Sequence, residues 1–462
     1  MASRWRTGVL HRLDRTRAAR SGCLGDCQKR SDHRRHARGS AGTNRRHDCR
    51  KRCRDRRARQ GDLPRRPAQR QSRAAHPLGS VASLQVCRQR PAGYCGGRTD
   101  PGKGASGRFG HPPAHQLRNQ TLKEPIMASY SRNEAREWAR EHLVGVANVT
   151  IPTVTSDFKH LNEKAIRHDI QTSIAHGFVG TLSCSEVAIT MDEYEQFVRI
   201  AVDEAAGRLF VVHHAVFNTL EDNIEAVRRA EAAGAELVLL GYPPYFHPRS
   251  LEEIYTYTKA MCDATKLAVM LFPIPTWGFS RLDPSDLPVS LLRRLIDDCP
   301  NVAAIKAEGG APNIMAAIEV HRAFHKEVVI SSPMEHEYIP LAQLIPIPFC
   351  GTNFSAYYGP VLPQVHRLIQ EGRFDEATAI FHRIDPARKA FASVPQAGGG
   401  LINRALWKYE SWLQGYNGGP LRHPTGRVYA RDMAALRRGQ EAAGLNPTAD
   451  PDADFFVGRN PA

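Results

Sequence analysis

The chain has 462 residues and a formal net charge of +16, but this charge is distributed unevenly along it. Residues 1–126 contain 31 Lys and Arg against 8 Asp and Glu, whereas the rest of the chain contains 32 against 39. The basic balance therefore does not make the whole chain a nucleic-acid-binding protein, and no apolar run approaches the ~18 residues of a membrane-spanning helix.

Residues 1–126 lack the composition of a folded domain. Only 13 of these 126 residues are Leu, Ile, Val or Phe, and we find neither helical nor strand periodicity among them. Three interpretations are open: a disordered Arg-rich arm that binds phosphate groups, a zinc site with two Cys-x3-Cys pairs between residues 23 and 53, and sequence upstream of a true start at Met127. We favour the last, because ordinary protein sequence begins at that methionine, and we therefore do not expect nucleic acid as a partner.

From residue 127 onward, short apolar runs alternate with amphipathic stretches. The eight runs have the composition of strands that are buried on both faces, and Thr190, Thr219 and Ser250 are typical residues for opening the helices between them. The runs cover residues 145–154, 178–184, 208–216, 236–244, 267–275, 302–307, 327–333 and 347–354. Eight successive βα units in roughly 220 residues predict an α/β fold, a (β/α)8 TIM barrel that we place at residues 127–360.

The sequence becomes helical after residue 360. Amphipathic stretches that begin at Val361, Ile402 and Ala430 predict a C-terminal helical subdomain and tail over residues 361–462. The four cysteines that follow residue 126 are widely spaced, which fits a reducing cytoplasm better than a disulfide framework. We therefore expect a cytoplasmic protein.

Lys306 ends the sixth apolar run, and Glu308 and two glycines follow it closely. In a barrel of this kind, the residues at the carboxyl ends of the strands form the active site. An apolar barrel mouth can lower the pKa of a lysine to about 7–8, which makes its amine available to attack a carbonyl group. Position alone leaves a structural ion pair between Lys306 and Glu308 equally open.

A known family has similar motifs in the same order. The chain contains TIPTV (residues 150–154), LSCSE (182–186), GYPPYF (241–246), FPIP (272–275), VAAIKAEGG (302–310) and GYNGGPLRHP (415–424). This series resembles the dihydrodipicolinate synthase / N-acetylneuraminate lyase family over about residues 140–445. The resemblance implies a homotetramer without a cofactor, in which Lys306 forms a Schiff base with pyruvate or another 2-keto acid. It therefore predicts an aldolase, a hydratase-aldolase or a dehydratase.

Two departures from the family pattern predict altered chemistry. The family's strand-two motif Gly-Thr-Thr-Gly-Glu holds the keto-acid carboxylate, and here its place is taken by a segment that offers Ser183, Cys184, Ser185 and Glu186 as substrate contacts. The family's strand-five tyrosine, which transfers protons during imine formation, is replaced by Phe272, which is, with Glu308, a further candidate substrate contact. Because loss of a positioned proton carrier typically costs about 10²–10⁴ in rate, another group must serve or the usual chemistry is lost. We therefore do not expect the lysine-biosynthetic reaction.

Three residues are candidates for the missing proton carrier, namely Tyr245, His214 and Glu186. Side chains alternate along a strand, so one of His213 and His214 faces the barrel interior and the other faces the helices. We favour His214 because it lies nearer the end of its strand.

Two other functions stay open. A metal-dependent aldolase or hydrolase would use His214 with Glu335 and His336, which follow the seventh run. A noncatalytic relative would bind a keto acid without converting it. Trp277 follows the fifth run and is a candidate wall for a bulky substrate.

Overall fold

A computed structural model describes residues 129–307, 314–332, 335–351, 355–394, 397–398 and 401–462. The predictions for residues 1–126, for Met127 and for Glu308 lie outside these ranges. None of the helices within them is long and apolar enough to cross a membrane.

Eight parallel strands close into a barrel, in which each strand pairs with the next and the eighth pairs with the first. The strands are β1 (Gly145–Thr150), β2 (Gly180–Cys184), β3 (Phe210–His214), β4 (Leu237–Leu239), β5 (Ala268–Leu271), β6 (Val302–Lys306), β7 (Val329–Ser331) and β8 (Phe349–Cys350). Helix α1 (Ala135–His142) precedes β1. One helix follows each of the first seven strands: α2 (Glu163–Ala175), α3 (Met191–Ala205), α4 (Leu220–Ala232), α5 (Leu251–Asp263), α6 (Val289–Asp298), α7 (Ile314–Phe324) and α8 (Glu335–Ala342). The structure confirms the predicted (β/α)8 barrel.

Further helices follow β8 and cover the barrel wall and mouth. They are α9 (Val361–Gln370), α10 (Phe374–Arg383), α11 (Asp385–Ser393), α12 (Arg404–Leu413) and α13 (Ala430–Ala442), with a short antiparallel pair, β9 (Ala397–Gly398) and β10 (Leu401–Ile402), before α12. Helix α9 buries Val361 and Val365 in the same apolar cluster as the barrel interior, and Gln370 donates a hydrogen bond to the carbonyl oxygen of Ile347 (2.9 Å). It therefore packs on the barrel wall as the helix that follows β8.

The strands divide their side chains between two apolar layers. Val211 and Val238 belong to a cluster that includes residues of helices α2 to α7, whereas Val212 and Leu239 belong to a second cluster that includes Met270 and Phe349 of other strands. Because successive side chains of a strand alternate, these neighbours determine which face each residue of the candidate site occupies.

Helix α12 lies against the carboxyl ends of β1 and β2. The Lys408 amine donates hydrogen bonds to the carbonyl oxygen of Pro152 (3.2 Å) and to the hydroxyl of Thr153 (2.5 Å), both in the segment after β1. Arg404 forms an ion pair with Glu186, which follows β2. The C-terminal helices therefore form one side of the barrel mouth.

Asn301 connects three elements at the amino end of β6. Its side-chain amide is fully buried and donates to the carbonyl oxygens of Cys262 (2.9 Å), Thr265 (3.2 Å) and Leu267 (3.1 Å), which end α5 and lead into β5. The last carbonyls of a helix have no partner within the helix, so this amide supplies hydrogen bonds that α5 cannot make itself.

We predict that Asn301→Ala lowers the free energy of unfolding by about 2–3 kcal/mol, because buried carbonyl groups lose their donor. Urea denaturation followed by circular dichroism measures this change. The matched control is Asn218→Ala at an exposed loop position, for which we expect less than about 0.5 kcal/mol. Equal effects of the two substitutions would contradict the role given to Asn301.

Candidate active site

Lys306 projects into the barrel interior at the carboxyl end of β6. It shares its face of the strand with Ala304, whereas Ile305 between them belongs to the cluster that packs against the helices. Lys306 is only 2% exposed, and its Nζ atom lies 4.0 Å from the centroid of the Phe272 ring. The predicted nucleophile therefore lies beside the residue that replaces the family's tyrosine.

Phe272 is held in place by Trp277. The indole N–H of Trp277 donates a hydrogen bond to the carbonyl oxygen of Phe272 (2.7 Å), and the two rings meet edge to face with centroids 5.8 Å apart. Because the face of an aromatic ring carries negative potential, the phenyl ring attracts a cation above it. The two aromatic residues thus form a fixed apolar wall that tolerates a positive charge at Lys306.

His213 and His214 face opposite sides of the barrel wall. His213 accepts a hydrogen bond at Nδ1 from the Tyr194 hydroxyl of α3 (3.1 Å), which places its ring among the helices. His214 faces the interior and donates from Nδ1 to the carbonyl oxygen of Leu239 (2.9 Å), which leaves Nε2 as an acceptor. Burial, with a contribution from the charge of Lys306, lowers the pKa of His214 to about 4, so its imidazole is neutral at pH 7.

The strand-two motif is divided between the two faces of β2. Cys184 pairs in register with His214 and faces the interior, where it is 1% exposed. Ser183 pairs with His213 and therefore faces the helices, away from the amine of the predicted nucleophile. Ser185 accepts a hydrogen bond from the backbone of the loop after β3 (3.3 Å). We therefore remove Ser183 from the candidate carboxylate contacts.

The three candidate proton carriers lie in different surroundings. Tyr245 is 97% exposed, and the structure does not bring it to Lys306. Glu186 is occupied by its ion pair with Arg404. Of the three, His214 is the one that lies inside the barrel.

Two residues that the sequence analysis missed also lie at the mouth. Ser331 pairs in register with Lys306, so its hydroxyl is on the same interior face, and it accepts a hydrogen bond from the backbone N–H of Gly351 (3.0 Å). Its position at the end of the seventh apolar run was a signal that could have identified it. Arg404 gave no such signal, because it lies on a helix outside the barrel.

The metal-dependent alternative gains no support from the described residues. Helix α8 begins at Glu335, but the side chains of Glu335 and His336 lie outside the described part of the chain. Among the side chains that are described, no group of three or more His, Cys, Asp or Glu could hold a metal ion.

Comparison with known proteins identifies the family. The model of the dihydrodipicolinate synthetase family matches residues 148–432, which is more than half of the chain. The chain belongs to the dihydrodipicolinate synthetase family. The match begins within β1 and ends in α13, so it includes the barrel and the helices at its mouth.

Individual relatives of this family are distant. A 4-hydroxy-tetrahydrodipicolinate synthase of Hyphomonas neptunium is 26% identical over 313 residues, which cover 64% of this chain and 98% of that protein. The enzyme of the same name from Rhizobium meliloti is 31% identical over 154 residues, covering 32% of this chain and 51% of that protein. The crystal structure of N-acetylneuraminate lyase from Fusobacterium nucleatum has the same fold, with a TM-score of 0.55 and 17% identity over 65% of this chain and 98% of that chain.

The two histidines that end β3 each make a contribution to stability that is lost in acid. Burial lowers the pKa of His213 to about 3 and that of His214 to about 4, against about 6.5 in an unfolded chain. A histidine with a depressed folded pKa takes up its proton on unfolding. Its stabilising contribution is therefore complete above about pH 6.5 and is lost as the pH falls toward the folded value.

We predict that the free energy of unfolding of the wild type falls relative to that of His213→Asn as the pH decreases from about 6.5 to 4. An asparagine oxygen can still accept the Tyr194 hydroxyl, so the variant removes the titration while it keeps an acceptor. Urea denaturation at a series of pH values measures the slope, and the exposed His247→Asn is the control that should keep it. A wild-type slope in His213→Asn would contradict the assignment.

Proposed function

We propose that this protein is a lyase that acts on a pyruvate-type 2-keto acid through a Schiff base on Lys306, as an aldolase, a hydratase-aldolase or a dehydratase. The observation that carries the proposal is the buried amine at the carboxyl end of β6, 4.0 Å from the Phe272 ring. Membership of the dihydrodipicolinate synthetase family supports it.

The proposed reaction begins with attack of the Lys306 amine on the substrate carbonyl. Water leaves to give a protonated imine, which withdraws electrons and stabilises the enamine that remains when a C–C or C–O bond breaks. The Phe272 ring favours the cationic imine beside its face. The Ser331 hydroxyl, on the neighbouring strand and the same face, donates to the oxygen that leaves as water.

His214 takes the role of the missing tyrosine in this proposal. It lies inside the barrel as a neutral imidazole, and the Leu239 carbonyl fixes the proton on Nδ1, so Nε2 can accept a proton. His214 therefore differs from Tyr245, which is exposed to solvent, and from Glu186, whose carboxylate forms an ion pair with Arg404.

The apolar wall formed by Phe272 and Trp277 argues against the reaction for which the Hyphomonas neptunium relative is named. Phe272 lacks the hydroxyl that the family pattern places there, and Trp277 adds apolar surface beside it. We propose a 2-keto acid and an acceptor other than aspartate semialdehyde, handled without a cofactor by a cytoplasmic homotetramer. The absence of a tyrosine at Phe272 also favours, as a second candidate, a relative that binds a keto acid without turnover.

We predict that sodium borohydride with pyruvate, or another 2-keto acid from a panel, adds a reduced adduct to the peptide that contains Lys306. Lys306→Ala should lose the adduct, as peptide mass mapping would show. Lys408 is the appropriate control, because burial lowers the pKa of this second buried amine to about 7. Lys408→Met should keep the adduct, and labelling of Lys408 instead of Lys306 would contradict the proposal.

We predict that His214→Asn slows exchange of the pyruvate methyl protons with deuterium by about 10²-fold or more, because enamine formation loses its base. Nuclear magnetic resonance in deuterated water measures this exchange without knowledge of the acceptor. His213→Asn, which alters the helix-facing neighbour, should stay within about threefold of the wild type. If His214→Asn exchanges the methyl protons as fast as the wild type does, His214 has no role in the mechanism. If the wild-type protein forms the trapped adduct but exchanges no protons, the noncatalytic candidate is favoured.

A further inference from the structure

Arg404, the first residue of α12, is a buried cation with an unsatisfied donor. It is 7% exposed, and its guanidinium carbon lies 4.1 Å from the centroid of the Trp407 ring. Its Nη2 contacts the Glu186 carboxylate, whereas Nε has no hydrogen-bond partner among the described residues. A buried donor without a partner is destabilising, and a ligand that accepts a hydrogen bond from Nε would remove this cost.

The guanidinium lies on the side of the mouth that faces Lys306. Strands β2 and β6 are four places apart in the eight-stranded barrel and so lie opposite each other. Glu186 follows β2 directly, and Cys184 ends that strand on the interior face. Burial raises the pKa of the Cys184 thiol, and the positive charge of Arg404 acts against this rise, as expected for neighbouring groups. A keto acid attached to Lys306 would therefore have Arg404 on the opposite side of the barrel mouth.

The edge of the guanidinium that carries Nε has the geometry that carboxylates use. Nε and Nη2 form one edge of arginine, at which a carboxylate can accept two parallel hydrogen bonds. The Glu186 carboxylate already contacts Nη2 on this edge. Its side chain is 35% exposed, so it can rotate into solvent and leave both donors to another carboxylate.

We propose that Arg404 binds the carboxylate of the 2-keto acid through Nε and Nη2. This assignment rests on the proposed Schiff base at Lys306. In the family motif, the strand-two segment holds the substrate carboxylate. Here Ser185 replaces the second glycine of that motif and Ser183 faces the helices, so the contact with Arg404 would explain how the chain holds the substrate anion. The C-terminal helical region thereby contributes a residue that determines specificity for acids over neutral ketones.

The test compares pyruvate with pyruvamide, its neutral isostere, in reductive trapping on Lys306. The measured quantity is the half-saturating concentration of each compound, determined by mass spectrometry of the intact protein. Arg404→Gln should raise the value for pyruvate about 10- to 100-fold, the usual effect of losing a charge-assisted hydrogen-bond pair. It should leave the value for pyruvamide within about twofold, and Arg404→Lys should lie between Arg404→Gln and the wild type.

The matched control is Arg422→Gln. Arg422 also joins the C-terminal region to the barrel through an ion pair, with Glu193 at the start of α3 (2.7 Å), and its loss should leave both trapping curves unchanged. Equal losses for pyruvate and pyruvamide in Arg404→Gln would show a structural role and overturn the proposal, as would an unchanged pyruvate value. A wild-type protein that forms no adduct on Lys306 would overturn the Schiff base, and the Arg404 assignment with it.

Discussion

The contact between the Lys306 amine and the face of Phe272 is the constraint on which the proposed chemistry depends. A lysine in an apolar interior is destabilised as a cation unless other groups compensate for its lost hydration. The phenyl face offers a modest attraction that suits a nitrogen which the proposed reaction uses both as a neutral amine and as a cationic imine. The same ring cannot transfer a proton, so the proposed reaction needs another interior side chain for its acid–base step.

Strand alternation then selects which side chains can act. Cys184 and His214 share the interior face, while Ser183 and His213, their immediate neighbours in sequence, pack toward the helices. The sequence sufficed to predict the barrel from eight apolar runs, to identify Lys306 at a strand end and to favour His214 over its neighbour. The sequence could not show that the Ser183 side chain faces the helices. A resemblance aligns residue types, but it does not give the strand register that determines which side of the barrel wall each side chain occupies.

Long-range contacts explain the remaining differences from the sequence-based predictions. Arg404 reaches Glu186 from a helix more than 200 residues later in the chain, and its own segment has only the amphipathic pattern of an ordinary surface helix. The place of α9 in the fold was hard to predict for a similar reason. The apolar face of α9 has the same periodicity as a subdomain helix, and only its packing against the barrel shows that it completes the wall.

The barrel mouth that results has chemically different sides. Lys306 and Ser331 lie on the β6–β7 side, whereas Arg404 brings positive charge to the β1–β2 side from α12. In the proposed complex, the carbonyl carbon of the 2-keto acid is bonded to the Lys306 amine, and the adjacent carboxylate is the group that the Arg404 guanidinium binds. In a barrel whose own strand-two loop lacks glycine, a guanidinium from outside the barrel can supply donors that the backbone does not present. The C-terminal helices therefore belong to the proposed catalytic apparatus as much as the strands do.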